Sequence, residues 1–189
     1  MWGAINLEKV GLEGFDDPIG KTSYTMLTIE SARFGVAVLE TSAGRVASDA
    51  VVAGRMEALI NGWGARLVPI DRLLPGEDLA TISSAAIPWL QSRLADELDY
   101  IIVGDVEGKD AREIDMRGKK ARGGHAGGKV RLIEVRKGDR LVSIVEQVGS
   151  KFSDIKATGE MAAKGALEKF ADHVEAEMRK EVAAIFQLR

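Results

Sequence analysis

The chain is predicted to be an α/β protein: a single three-layer domain whose mixed β-sheet is packed by about three helices and which closes with a β-hairpin followed by a long amphipathic helix. Three observations predict this. Apolar runs of strand length alternate with segments of helical period through the middle of the chain. Two strand-like runs, Val130 to Val135 and Leu141 to Val148, flank a turn carrying Gly138. From Gly159 to about Phe186, apolar residues recur on one helical face.

In chain order, residues 1–22 mix Gly11, Gly14, Asp16, Asp17, Pro18 and Gly20 with no sustained period, so an N-terminal arm is expected, with the α/β domain occupying 23–189. Two β-like stretches, Tyr24 to Ile29 and Phe34 to Leu39, suggest a hairpin. The second is almost wholly apolar, which suits a central strand buried on both faces. Ser48 and Asp49 offer N-cap oxygens to a helix whose apolar face is Val52, Met56, Leu59, Ile60 and Trp63 and whose stop is Gly62 and Gly64. Arg66 to Ile70 reads as a short strand, and Pro69, without an N–H, places that strand near an edge or marks its own end. A further helical stretch runs to about Glu97 with Leu90, Leu94 and Leu98 on one face, and Pro88 either sits in its first turn or kinks it.

Asp99 to Glu107 follows as a strand, apolar at its start and alternating at its end. Residues 108–129 carry Gly108, Gly118, Gly123, Gly124, Gly127 and Gly128 among charges. That is the composition of a loop or hairpin insertion with a mobile tip, around a short strand at Ala111 to Met116. The last helix is expected to bury a stripe of Ala163, Leu167, Phe170, Val174, Met178, Val182 and Ile185. Central alternation of strand and helix favours parallel neighbours there, and the late hairpin adds antiparallel strands.

The 189 residues are 46% hydrophobic and 29% charged, a globular balance. The formal net charge of −3 supplies no global field toward nucleic acid or an anionic membrane. Cysteine is absent, which removes disulfides, thiolate nucleophiles and Cys-based zinc sites. No apolar run approaches the roughly 20 residues of a membrane-spanning helix, so a soluble chain is expected. The N-terminus lacks the pattern of a secretory signal. A cytoplasmic location is expected if Met1 is the native start, and a periplasmic or envelope location if a signal has been removed.

Candidate chemistry is sparse. Gly14 to Thr22 resembles a phosphate-binding loop, but it has five residues between its glycines where the motif requires four, and no strand precedes it. Arg117, Lys119, Lys120, Arg122 and Lys129, together with His125, form a basic Gly-rich stretch able to engage a polyanion, although no aromatic residue is present there to stack a base. His173 and Glu177 lie one helical turn apart, the spacing of two metal ligands, with no third ligand evident. Asp105 and Glu107 alternate onto one face at a strand end, where α/β sheets place catalytic carboxylates. No triad, nucleophile elbow or metal motif is legible, so no catalytic residue, metal or cofactor is assigned.

Over roughly residues 34–186 the chain resembles the curli-assembly and penicillin-binding-protein-activator lipoproteins (CsgG-type and LpoB-type), together with TolB N-terminal-like and flagellar FlgT-type modules. The resemblance is carried by Gly35-Val36-Ala37-Val38-Leu39, by the helix-to-strand passage Leu94 to Gly104, and by the hairpin Val130 to Leu141. It implies an α/β/α fold serving as a non-catalytic assembly or regulatory module of the bacterial envelope, with a protein partner and self-association. There is no lipobox Cys, and residues 108–129 lack the alternating apolar strands that a pore would insert. Two other readings stand beside it: a cytoplasmic polyanion-binding protein using residues 112–131, and a carboxylate-dependent hydrolase using Asp105 and Glu107.

Overall fold

The computed structural model describes residues 29–110, 114–116, 119–149 and 159–186. A six-stranded mixed sheet forms its centre, built from β1 (Arg33–Ser42), β2 (Arg45–Val46), β3 (Arg66–Leu67), β4 (Tyr100–Asp110), β7 (Gly124–Glu134) and β8 (Asp139–Gly149). A separate two-stranded ladder joins β5 (Ile114–Met116) to β6 (Lys119–Ala121). The strand order is β2-β1-β4-β7-β8, with β3 also beside β1. β1 is parallel to β3 and β4, whereas β4, β7 and β8 are successively antiparallel. The helices are α1 (Val51–Gly62), α2 (Ile70–Leu73), α3 (Leu79–Ser84), α4 (Ile87–Leu94) and α5 (Gly159–Phe186).

Alternation along the strands divides the core between the two faces of this sheet. Phe34 and Val38 of β1, Ile102 and Val106 of β4, and Val130 and Leu132 of β7 pack with α1 and α5. Ala37, Ile101, Val103 and Ile133 point the other way, toward Ile70, Ile82, Leu90, Leu94 and Leu98. That makes three layers, and β1 is buried on both faces as its apolar run predicts, although over residues 35–39 its one strand neighbour among the described residues is β4. Phe34 stacks on Tyr100 with ring centroids 4.9 Å apart, and Phe186 meets Tyr100 edge-on at 5.3 Å, so the end of α5 is pinned to the sheet.

Several elements differ from their sequence reading. Ile29 opens a 3₁₀ turn (Ile29–Ser31) instead of ending a strand, and residues 24–28 of the expected hairpin lie outside the described residues. β3 stops at Leu67 because Pro69, unable to donate, becomes the N-cap of α2; the strand is nevertheless at the sheet edge. The helical stretch before Glu97 breaks at Ala85–Ala86 into α3 and α4, with Pro88 in the first turn of α4 and Leu90, Leu94 and Leu98 all buried. α1 takes its N-cap at Ala50, and neither Ser48 nor Asp49 caps it. Instead the carboxylate of Glu40, on β1 and only 2% exposed, accepts hydrogen bonds from Val51 N and Ala53 N, both at 2.8 Å. The other end of α1 stops as expected. Gly64, at φ +73, lets its N–H reach Asn61 O at 3.0 Å and the N–H of Ala65 reach Ile60 O at 3.3 Å, a Schellman closure.

Of the loop or hairpin expected over residues 108–129, the described residues form the hairpin. β4 continues to Asp110 and β7 begins at Gly124, so the glycines at both ends of the expected loop are paired strand residues, Gly108 opposite Ala126 and Gly128 opposite Val106. Their composition reflects close packing. A Cβ on Gly108 would stand 2.9 Å from Ala163 O and 2.8 Å from Leu167 Cγ, and one on Gly124 would run into the Ala162 backbone. The bare glycine backbone is what lets the first turns of α5 lie on β4 and β7. Within the expected strand Ala111 to Met116, residues 114–116 form β5, and 111–113 lie outside the described residues. α5 spans the expected range and buries its stripe except for Ile185, which is 41% exposed; Ala162, Ala166 and Ala171 are buried as well.

Candidate interaction surface

The face of the sheet covered by α2, α3 and α4 is covered along only part of its length. Beyond Val103 the outward positions of β4 turn from Ile101 and Val103 to Asp105, Glu107 and Lys109, and among the described residues no helix lies above them to bury apolar side chains. The pairing register runs rows across four strands: Leu39, Asp105, Lys129 and Val145 in one, and Thr41, Glu107, Gly127 and Gln147 in the next. Asp105 is thus set cross-strand from Lys129, an opposite-charge pair. Glu107 is paired with Lys109 at 2.6 Å. The sequence places the two carboxylates on one face and the structure agrees; it also gives each a cationic neighbour, the usual dress of a solvated strand.

These rows end at β8, whose neighbour among the described residues is β7 alone. Val142 and Ile144 are buried beneath α5, while Ser143, Val145 and Gln147 face solvent, with Val145 66% exposed. A shallow hollow of about 560 Å³ lies against Asp105, Lys129, Val145 and Gln147. Val145 is an apolar side chain among polar ones, beside a strand edge that no other described strand covers. Sequence reasoning missed Val145 as a site residue. Its signal is a valine in an outward position, readable once the register of β8 is known.

The remaining sequence candidates disperse. Arg122 forms a bidentate pair with Asp110, with Nη2 2.6 Å and Nε 3.1 Å from the carboxylate. Lys129 belongs to the open sheet face, exposed His125 sits opposite Lys109 in β4, Lys119 and Lys120 lie on β6, and Arg117 is outside the described residues. His173 Nε2 approaches Glu146 Oε1 on β8 to 2.8 Å without hydrogen-bond alignment, and Glu177 pairs with Lys180 at 3.5 Å, so the structure turns His173 and Glu177 toward different partners. Among the described residues, no group of three or more His, Cys, Asp or Glu is placed to hold a metal ion. No helix among them is long and apolar enough to cross a membrane. The P-loop-like residues 14–22 lie outside the described residues.

One further cluster lies at the other end of β4, beside the start of β1 and the turn between β7 and β8. Asp99, 8% exposed, accepts from Arg33 N at 2.9 Å, Arg33 Nε at 3.1 Å and Arg33 Nη2 at 3.2 Å, and Arg136 stands 3.6 Å away. Burial pushes its carboxyl upward, but the Arg33 hydrogen bonds and the two guanidinium charges together outweigh burial and hold it below the ordinary carboxylate range.

No family model matches the chain, and no curated protein matches it. Solved structures show a distant likeness. Lipoprotein GNA1162 from Neisseria meningitidis is 14% identical, with a TM-score of 0.42 over 79% of this chain and 99% of its own. The hypothetical protein CT253 from Chlamydia trachomatis is 10% identical, with a TM-score of 0.49 over 82% and 99%. The PelC dodecamer from Paraburkholderia phytofirmans is 16% identical, with a TM-score of 0.35 over 78% and 90%. These likenesses are too distant to carry function.

Proposed function

We propose that this protein is a non-catalytic assembly or adaptor module of the CsgG/LpoB-like type that works through protein contacts and pairs with further copies of itself along β8. The observation that carries the reading is the edge of β8, an eleven-residue strand bonded on one side only among the described residues and presenting Ser143, Val145 and Gln147 to solvent. Such an edge presents a row of backbone donors and acceptors that another strand satisfies. The sequence motifs at 35–39, 94–104 and 130–141 support the family side of the proposal.

Light scattering on size-exclusion fractions tests it. The expected result is a mass that rises with protein concentration and falls to the monomer when Ser143→Lys and Val145→Lys put two charges beside the edge. A monomer mass at every concentration reached would sink the self-pairing.

A further inference from the structure

The opposite side of the sheet has a second open edge. β3 pairs with β1 only at Arg33 and Phe34, and β2 only at Thr41 and Ser42. Between them, among the described residues, no strand lies along the outer side of β1. The direction of its free groups follows from the bonds at either end. Phe34 O accepts from Val68 N at 2.8 Å and Glu40 O accepts from Ala47 N at 2.9 Å, both on the outer side, whereas Arg33 O accepts from Asp99 N at 3.0 Å on the β4 side. Strand residues alternate the side to which they present N–H and C=O. Val36 and Val38 therefore present theirs outward.

A groove of about 400 Å³ opens on this gap, with Val36 at its floor. Its wall on the α1 side carries Glu57, and the opposite wall carries Val68, Asp71, Glu77 and Leu79. Apolar surface and three carboxylates line it, with no Lys or Arg among the lining residues. Glu77 has Arg93 at 4.0 Å, and no salt bridge engages Glu57 or Asp71 among the described residues. The gap from Phe34 to Glu40 spans about 20 Å at roughly 3.3 Å per residue, room for about five residues of extended chain.

We propose that this groove docks an extended peptide segment of a partner protein, in which apolar residues alternate with Lys or Arg, by adding it as a strand to the outer edge of β1. Main-chain bonds to Val36 and Val38 supply the pairing. Alternate side chains divide between the α1-side wall, where Lys or Arg meets Glu57, and the opposite wall, where apolar residues meet Val68 and Leu79 with Asp71 beside them. The site is independent of β8, which lies at the other side of the sheet.

The test titrates the full chain with an acetylated octapeptide alternating Val and Lys, read by amide NMR shifts and by anisotropy of a labelled copy. Expected are shifts centred on Val36 and Val38, and affinity weakened about tenfold or more by the exposed pair Glu57→Lys and Asp71→Lys. Circular dichroism confirms that this variant is folded. The same peptide N-methylated along one edge should lose binding, because it cannot complete the ladder. Undiminished binding to the charge-reversed chain, equal binding of a Val–Glu octapeptide, retained binding of the methylated peptide, or Val36 shifts that grow with protein concentration alone would each overturn the proposal, the last by assigning the groove to a second copy.

Discussion

Glu40 shows how much a single buried side chain organises. Its carboxylate joins the sheet to the N-terminus of α1 by satisfying two helix N–H groups and by placing negative charge at the positive end of the helix dipole. Glu40→Ala leaves those donors without acceptors and is expected to cost about 2–3 kcal/mol in urea unfolding; Glu40→Gln, which keeps one acceptor, costs less. Asp99 makes a different prediction, in pH. Its folded pKa is depressed, so its contribution is present above the unfolded value of about 3.9 and is lost as pH falls through the lower folded value. Acid titration of the melting temperature should therefore drop less steeply below about pH 4 in Asp99→Asn than in the parent, while the variant is less stable at neutral pH. Parallel acid profiles would remove Asp99 as the source of that dependence. Sequence reasoning named neither residue: a glutamate in an apolar strand and an aspartate before one gain their roles from partners 11 and 66 residues away.

At the scale of elements, α5 and the glycines beneath it form one unit. The helical stripe of α5 is legible from period alone because every apolar side chain on that face meets the sheet. The glycines of β4 and β7 are not legible as strand residues, since glycine is rare in strand interiors and its use here depends on a helix 50 or so residues later in the chain. Gly108→Ala and Gly124→Ala push a Cβ against the α5 backbone, and each is expected to destabilise by about 1–3 kcal/mol, measured by thermal or urea denaturation. Were they loop glycines, the same changes would be near neutral.

Across the whole molecule, the two apolar clusters share β1, β4 and β7, so loss of either should take both faces of the sheet with it. Phe170, buried against one face, and Leu94, buried on the other, test this. Phe170→Ala is expected to cost about 3–5 kcal/mol and Leu94→Ala about 2–5 kcal/mol. Trp63 packs at the first cluster and Trp89 at the second. We expect chains retaining either tryptophan alone to unfold in coincident transitions, the behaviour of the single domain over 23–189 that the sequence suggests. Two separated transitions would divide that unit.

The α/β class, the burial of β1 on both faces, the late hairpin and the extent of α5 are legible in the chain, because each depends on a local period: two for strands, 3.6 for helices, broken by Gly and Pro. Tertiary structure alone decided that β4 and β7 run through the glycines, that Glu40 caps α1, that Arg122 is drawn to Asp110, and that the edges of β8 and β1 stand open. Those outcomes, the two strand edges being unpaired among the described residues, depend on which surfaces are covered and which residues become neighbours across the sheet. Register and layer packing set both, and neither is encoded within any one window of the chain.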